Sequence, residues 1–219
     1  SCRTLTAASH LINLHFTVGE RKMMLEDVRN NAAHYDSLRN TDLPNHVPPA
    51  IRFDPFYSCA DVPLKADKFV VSRQSVTLPD DENELAFYPV TKLFKLLRSG
   101  KITSVQLTKL YLRRLKKYGP ELKCVVTLTE DLALQQARQA DREMQAGHYR
   151  SLLHGIPFGV KDLLATKNIK TTWGAEPYKE NLPDYNATVV ERLQEAGAVL
   201  VAKLSMGALA MGDVWYGGK

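Results

Sequence analysis

Hydrophobic residues at spacings of three and four along the chain predict five amphipathic helices. The predicted helices span residues 17–39, 89–98, 104–117, 129–146 and 188–196. Four of them begin at threonines placed to cap the free amide donors of a first turn, namely Thr17, Thr103, Thr129 and Thr188. A Glu or Gln three residues after Thr17, Thr103 and Thr188 completes a capping-box sequence. Residues 1–16 carry no comparable pattern.

Short apolar runs between the helices predict three strands, at residues 125–128, 156–164 and 198–204. The last two runs are apolar enough to be buried. Because strands alternate with helices, the pattern indicates an α/β layer with a covered sheet. Five of the eleven prolines fall within residues 44–63 and predict an extended strap, because proline removes backbone donors. The acidic run 80–84 is predicted to be a solvated loop.

Composition narrows the class of protein. The 219 residues are 44% hydrophobic and 24% charged, enough for a sizeable core. No apolar run approaches the roughly 18 residues of a membrane span. No basic segment followed by an apolar signal run occurs within these 219 residues, so both a cytoplasmic location and export after signal removal stay open. Three widely spaced cysteines (Cys2, Cys59 and Cys124) argue against a disulfide framework. The six histidines form neither HxH nor HExxH, so no metal site is predicted.

The net charge of +5 comes from one segment. Residues 85–120 hold nine basic side chains and no acidic one, while the rest of the chain holds 20 basic and 24 acidic residues. The apolar residues of this segment fall at helical spacing, which favours two amphipathic helices with a cationic solvent face. Binding of RNA or an acidic partner remains the second interpretation, because a basic face attracts phosphate backbones.

The best candidate for a catalytic residue is Lys161, which lies in the apolar run 156–164. Burial lowers the pKa of a lysine, and a neutral amine is a usable general base near pH 7. From the residues alone, the favoured interpretation is a strand-end lysine paired with Asp162 or another acid. A catalytic role is the second interpretation at this point.

The segment GIPFGVKD at 155–162 resembles the lysine strand of the amidase signature family. The resemblance continues in register through TKNIKTTWG at 166–174 and YNATVVERLQEAGAVLVAK at 185–203, and residues 91–141 resemble the preceding helices. It implies an α/β fold with a mixed sheet covered by helices on both faces, incomplete in this chain. Residues 1–84 would form an N-terminal helical extension with the proline-rich strap, and residues 85–219 the N-terminal part of the amidase-signature domain.

The resemblance also implies an activity. Members of the family hydrolyse carbon–nitrogen amide bonds through a Ser–cis-Ser–Lys triad, and Lys161 matches the family's lysine, the general base. Both serines come from a Gly/Ser-rich loop after the equivalent of residues 217–219. None of the ten serines here has such a setting, and Ser205 aligns with a different polar position. The chain is therefore expected to be a fragment that carries only the lysine and is inactive alone. A small-molecule amide substrate is implied, with no cofactor and no membrane partner; homo-oligomer formation is left open.

Departures from the family pattern keep alternatives open. Asn168 replaces a glycine, tolerable because Asn adopts positive φ more readily than most residues. Asn186 stands where an Asp is frequent, and residues 202–205 read AKLS in place of GKTN. Residues 208–209 read AL in place of the EF frequent in aminoacyl-tRNA amidotransferase A subunits. The departures at 202–205 and 208–209 favour a stand-alone amidase. Such an amidotransferase component, with tRNA meeting the basic helices, remains the first alternative, and a non-catalytic binding or interaction module the second.

Two other residues, Lys203 and His154, are expected to have structural roles. Lys203, near the end of the last apolar run, is expected to form a structural ion pair. His154, which precedes the lysine strand, is expected to make packing or loop contacts rather than to act as a base.

Overall fold

The computed structural model describes residues 1–44, 47–51, 53, 72 and 74–219. The chain divides into two units, residues 1–67 and residues 68–219. The proline-rich strap predicted at 44–63 lies mostly outside the described residues. Within the ranges that the structure describes, none of the helices has the length and apolar character needed to cross a bilayer.

Six α-helices and three strands make up the described structure. The helices are α1 (Cys2–Leu11), α2 (Val18–Arg39), α3 (Val90–Arg98), α4 (Ser104–Leu122), α5 (Glu130–Gln145) and α6 (Thr188–Glu195). The strands are β1 (Val125–Leu128), β2 (Pro157–Lys161) and β3 (Val199–Leu204). Short 3₁₀ helices occupy Glu82–Phe87, Glu176–Tyr178 and Ala208–Ala210.

The first unit contains α1 and α2. Helix α1 falls in a region without a clear sequence pattern, and its start is capped by Ser1, whose side-chain oxygen accepts from the Thr4 amide at 3.2 Å. Helix α2 begins as predicted. The Thr17 side chain accepts from the Glu20 amide, and the Glu20 carboxylate accepts from the Thr17 amide at 2.6 Å, so the capping box is confirmed.

In the second unit, one of the other predicted caps is formed and two are not. Thr103 and Gln106 form the capping box of α4. Thr129 precedes α5, but its hydroxyl donates to the Leu200 carbonyl at 2.7 Å rather than accepting from the first turn. The capping box predicted at Thr188 is wrong, because the cap residue is Ala187 and Thr188 is already helical.

The three strands form one mixed sheet in the order β1-β3-β2. Strand β3 pairs antiparallel with β1 and parallel with β2. Strand β2 is shorter than predicted, since it ends at Lys161, where the Leu164 amide donates to the Lys161 carbonyl at 3.0 Å and closes a turn. In the pairing of β2 with β3, a bulge opposite the step from Phe158 to Gly159 leaves Val201 as an extra residue of β3.

Helices cover both faces of this sheet, which confirms the predicted α/β class. On one face, Val199 and Ala202 of β3 pack with residues of α4 and α5, including Leu112 and Ala137. On the other face, Leu200 packs with residues of β2 and α6 in a cluster formed by Val160, Val190 and Leu200. Because successive strand residues point to opposite faces, β3 contributes to both clusters.

The predicted acidic loop at 80–84 leads into a 3₁₀ helix instead. The Asp81 side chain accepts from the Asn83 amide at 2.9 Å, and the turn buries Leu85 at 1% exposure. Leu85 packs with Leu93 and Leu107 in a third core cluster that Val76 also contacts. The domain boundary predicted between residues 84 and 85 lies inside the second unit. That the amidase-signature domain begins at residue 85 stays a prediction.

Candidate functional site

The candidate site lies where the parallel strands β2 and β3 end. Lys161 is the last residue of β2, and Lys203 is the penultimate residue of β3. Ligands of α/β sheets bind outside the carboxyl ends of parallel strands, so this edge is the first place to look for chemistry. The two lysines differ in exposure and in the groups that they contact.

Lys161 is exposed at the edge of the sheet. It pairs with Leu204 in the strand register, and a Cβ on Gly159 would come within 2.9 Å of the Leu204 side chain, so all three residues occupy the same face. The run 156–164 is predicted to be a buried strand, but Lys161 within it is exposed, because β2 ends there and none of the described residues covers its side chain. Its side-chain nitrogen is therefore accessible to a group brought to this edge.

Asp162 is fully buried, although it directly follows the exposed lysine. Its backbone amide donates to the Leu204 carbonyl at 2.8 Å, and its carbonyl accepts from the Trp173 amide at 3.2 Å. Carboxylate Oδ2 accepts from both the amide and the hydroxyl of Thr172. The ion pair proposed between Lys161 and Asp162 is not formed; Asp162 lies 3.7 Å from Lys203 instead.

Lys203 has no exposed surface and donates three hydrogen bonds. Nζ donates to the Leu164 carbonyl at 2.5 Å, to Thr166 Oγ1 at 3.2 Å and to Thr171 Oγ1 at 2.7 Å. Burial, opposed by the Asp162 carboxylate, lowers the pKa of Lys203 to about 8. The interpretation of Lys203 as a structural ion-pair residue is confirmed.

The bulge in β3 explains which lysine is buried. With the extra residue at Val201, Ala202 pairs with Gly159 and Lys203 pairs with Val160. Lys203 therefore shares the face of Val160, which is also the face of the loop that follows β2, while Leu204 shares the face of Lys161. Without the bulge, alternation from Leu200 would place Lys203 on the opposite face. A bulge of this kind carries no signal in the sequence pattern.

The loop after β2 accommodates the departures from the family pattern. Asn168 adopts φ of 60°, so the substitution of glycine by asparagine fits a left-handed position as expected. Its neighbour Lys167 donates its amide to Asn186 Oδ1 at 2.8 Å, so the asparagine at 186 supplies an acceptor to this loop.

The segment after β3 packs closely against the turn at 172–174. The Leu209 amide donates to the Trp173 carbonyl at 2.8 Å, and the Tyr216 amide donates to the Gly174 carbonyl at 3.2 Å. Trp173, Leu209 and Ala210 all have positive φ, at 52°, 52° and 64°. Such conformations cost about 1–2 kcal/mol per residue and are often found at functional sites. Backbone strain thus collects beside the strand ends.

His154 belongs to a separate cluster. It is 1% exposed; its Nδ1 accepts from the Arg150 amide at 3.2 Å and its Nε2 lies 3.2 Å from Glu143 Oε2. Desolvation by burial, partly offset by Glu143, lowers the pKa of His154. The hydrogen bond from the Arg150 side chain lowers the pKa of Glu143 to about 2. These contacts agree with the loop-contact interpretation of His154.

The basic segment forms a mainly solvent-exposed face, as predicted, and several of its cations are engaged. Arg113 pairs with Glu82 at 2.9 Å and Lys116 with Glu130 at 2.6 Å. Arg114 lies over the rings of Phe87 and Tyr118 at 5.1 and 5.3 Å. Part of the positive charge of this segment is therefore paired with groups of the protein itself.

Comparison with known proteins identifies relatives of this region. The family model Amidase matches residues 106–214. A Mycobacterium tuberculosis protein named as an amidase, AmiD, is 40% identical over 126 residues, which are 58% of this chain and 26% of that protein. The A subunit of the glutamyl-tRNA(Gln) amidotransferase from Dehalococcoides mccartyi is 42% identical over 124 residues, which are 57% of this chain and 25% of that protein.

A solved structure shows the same arrangement. The peptide amidase of Stenotrophomonas maltophilia aligns with a TM-score of 0.55 and 33% identity, covering 57% of this chain and 26% of that chain. The alignments thus cover about a quarter of each of these relatives. Since Lys161, Asp162 and Lys203 all fall inside 106–214, the matched segment includes the whole candidate site.

Proposed function

Because residues 106–214 belong to the amidase family, we propose that the protein containing this chain hydrolyses carbon–nitrogen amide bonds with Lys161 as its general base. The observation that carries the proposal is the position of Lys161, an exposed lysine at the carboxyl end of a parallel strand inside the matched segment. The strained turns beside it support the same location, because strain is retained where the surrounding structure and function require it.

The proposed mechanism follows the Ser–cis-Ser–Lys logic of the resemblance. Neutral Lys161 accepts a proton from a bridging serine, which in turn accepts the proton of the nucleophilic serine. The nucleophile attacks the amide carbonyl, the amine leaves with a proton returned through the bridge, and water releases the acid from the acyl-enzyme. The ten serines of these 219 residues lack the Gly/Ser-rich setting, so the chain alone is expected to be inactive.

The test replaces Lys161 by alanine in the full-length gene product, with Lys167→Ala as the matched control. Both lysines are exposed and lie six positions apart, so the two variants lose the same side chain at similar structural cost. Ammonia release is measured from acetamide, benzamide and a C-terminally amidated dipeptide. We expect Lys161→Ala to lose about two orders of magnitude or more in rate, the scale of general acid–base catalysis, and Lys167→Ala to keep the wild-type rate. Near-normal turnover by Lys161→Ala would refute the assignment.

A second candidate is a role as the amidase component of a glutamine-dependent aminoacyl-tRNA amidotransferase. It is favoured by the 42% identity to the Dehalococcoides mccartyi protein, although AL at residues 208–209 departs from the subfamily pattern. This candidate predicts ammonia release from glutamine and copurification with partner subunits. Hydrolysis of simple amides by the lone full-length polypeptide, without glutaminase activity, would favour the stand-alone amidase. Catalytic inactivity of a full-length product lacking both serines would favour a binding module.

A further inference from the structure

We propose that Lys203 is a positioning residue for Lys161, because its buried ammonium holds the loop that begins at Lys161. This inference rests on the proposed function, in which Lys161 is the base. Lys203 itself is fully buried and touches neither solvent nor the exposed edge of the sheet, so it acts through the backbone that it binds.

The first observation is that all three donors of one ammonium group are used on a single loop. The acceptors belong to Leu164, Thr166 and Thr171, all of which lie within residues 162–172. Lysine in a water-exposed position exchanges its partners freely, whereas here the three acceptors fix Nζ at the centre of the loop. The loop therefore folds around Lys203.

The second observation is a short connection from Lys203 to the backbone of Lys161. Nζ of Lys203 donates to the Leu164 carbonyl at 2.5 Å, and the Leu164 amide donates to the Lys161 carbonyl at 3.0 Å. A loss of the first bond frees the turn that the second bond closes. The turn fixes the backbone of Lys161 and therefore the direction of its Cα–Cβ bond, from which the long side chain extends its amine.

The third observation concerns charge. Asp162, the residue next to Lys161, balances the ammonium at 3.7 Å, and neither side chain is exposed. Oδ1 of Asp162 has no hydrogen-bond donor among the described residues, so the nearby ammonium is its main compensation. Burial lowers the pKa of Lys203 to about 8, which reflects an environment unfavourable to its charge.

These features point to positioning rather than to stability alone. A buried ion pair is weak evidence for stability, since replacing both partners by apolar residues of similar size is often neutral or stabilising. A methionine at residue 203 would fill a similar volume, but it offers no donors to the loop and leaves the buried Asp162 carboxylate without its compensating charge. What the lysine supplies beyond packing is a fixed conformation of residues 161–172.

The test uses the full-length protein with two independent perturbations. Lys203→Met removes the ammonium, and Thr171→Val removes one acceptor while keeping the shape of the side chain. Thr171→Ser restores the hydroxyl and serves as the rescue variant, and Lys167→Met is the control for loss of a lysine in the same loop. kcat and KM for ammonia release are measured for each variant, per folded molecule, with Lys161→Ala alongside.

We expect kcat to fall about 10- to 100-fold in Lys203→Met, the effect of a misplaced catalytic group, while KM changes less than about twofold. Thr171→Val should lower kcat in the same direction, and Thr171→Ser should restore it. Should Lys203→Met fail to fold, the Thr171 pair decides the question. Wild-type kcat in Thr171→Val or in folded Lys203→Met overturns the positioning role, and so does a loss confined to KM. Inactivity of Lys161→Ala together with wild-type kcat in those variants refutes only this inference, whereas an active Lys161→Ala refutes both.

Discussion

Replacing Gly174 by alanine should destabilise the second unit well beyond the usual effect of a positive φ. Gly174 has φ of +66°, and a Cβ built there would lie 2.3 Å from the Met206 carbonyl oxygen and 3.3 Å from the backbone of Gly207. The obstructing atoms are main-chain atoms of the segment that follows β3, so no side chain can rotate away. The backbone of the strand-end site itself would have to move.

The size of the effect can be separated into two parts with Gly147 as the control. Gly147 has φ of +78°, and a Cβ there meets nothing within 4 Å. Gly147→Ala therefore carries only the conformational cost of a left-handed alanine, about 1–2 kcal/mol. Gly174→Ala carries a similar cost and, in addition, an overpacking cost of about 1–3 kcal/mol. We expect an excess of about 1–3 kcal/mol for Gly174→Ala.

Urea denaturation monitored by tryptophan fluorescence measures the difference, because both tryptophans, Trp173 and Trp215, lie in the second unit. Since Trp173 adjoins the mutation, far-UV circular dichroism provides an independent second probe. The comparison requires unchanged m-values in the two variants. Equal destabilisation of Gly174→Ala and Gly147→Ala would refute the close approach of residues 174 and 206.

Two further predictions concern the second unit's stability. Thr103→Ala should lower the free energy of unfolding by about 1 kcal/mol, because it removes a formed cap of α4. Thr188→Ala should be nearly neutral, because Thr188 caps no helix. Equal destabilisation of the two variants in thermal melts would contradict this assignment of caps. The pKa of Glu143 is lowered to about 2, mainly by the hydrogen bond from Arg150, so its contribution to stability is complete above pH 4.5 and is lost as the pH falls towards 2. Glu143→Gln should flatten the pH dependence of unfolding free energy in that window, and an unchanged acid limb would contradict the pairing.

The sequence pattern identifies the strand–helix alternation and the edge on which the site lies, but not the partners of its charged residues. Lys161 and Asp162 are adjacent, and adjacency makes their pairing the natural expectation. Lys161 ends β2 and Asp162 begins the turn that follows, in which the Asp162 side chain is buried while Lys161 stays exposed. The actual partner, Lys203, is 41 positions from Asp162 and reaches it only because of the bulge at Val201.

Predictions of helix caps from local sequence also fail where tertiary contacts decide the outcome. Thr129 and Thr188 both have the residue type and spacing of caps, yet Thr129 donates to the Leu200 carbonyl and Thr188 lies inside its helix. A carbonyl of the neighbouring strand competes for the hydroxyl of Thr129, and this competition depends on tertiary packing rather than on local sequence. Helix α1 shows the converse, because it forms between Cys2 and Leu11 from a segment whose hydrophobic spacing gave no prediction.

The two lysines at the strand ends lie at one edge of the sheet, but we propose different roles for them: a base for Lys161 and a positioning residue for Lys203. β2 and β3 run parallel, so their carboxyl ends bring both lysines to the same edge, and the bulge then directs them to opposite faces. On one face Lys161 remains exposed, as a base must be to reach a hydroxyl. On the other face Lys203 is enclosed by the loop that begins at Lys161 and gives all its donors to that loop. Under the proposed function, a substitution at either lysine should affect the same catalytic step, through the amine of Lys161 in one case and through the backbone that positions it in the other.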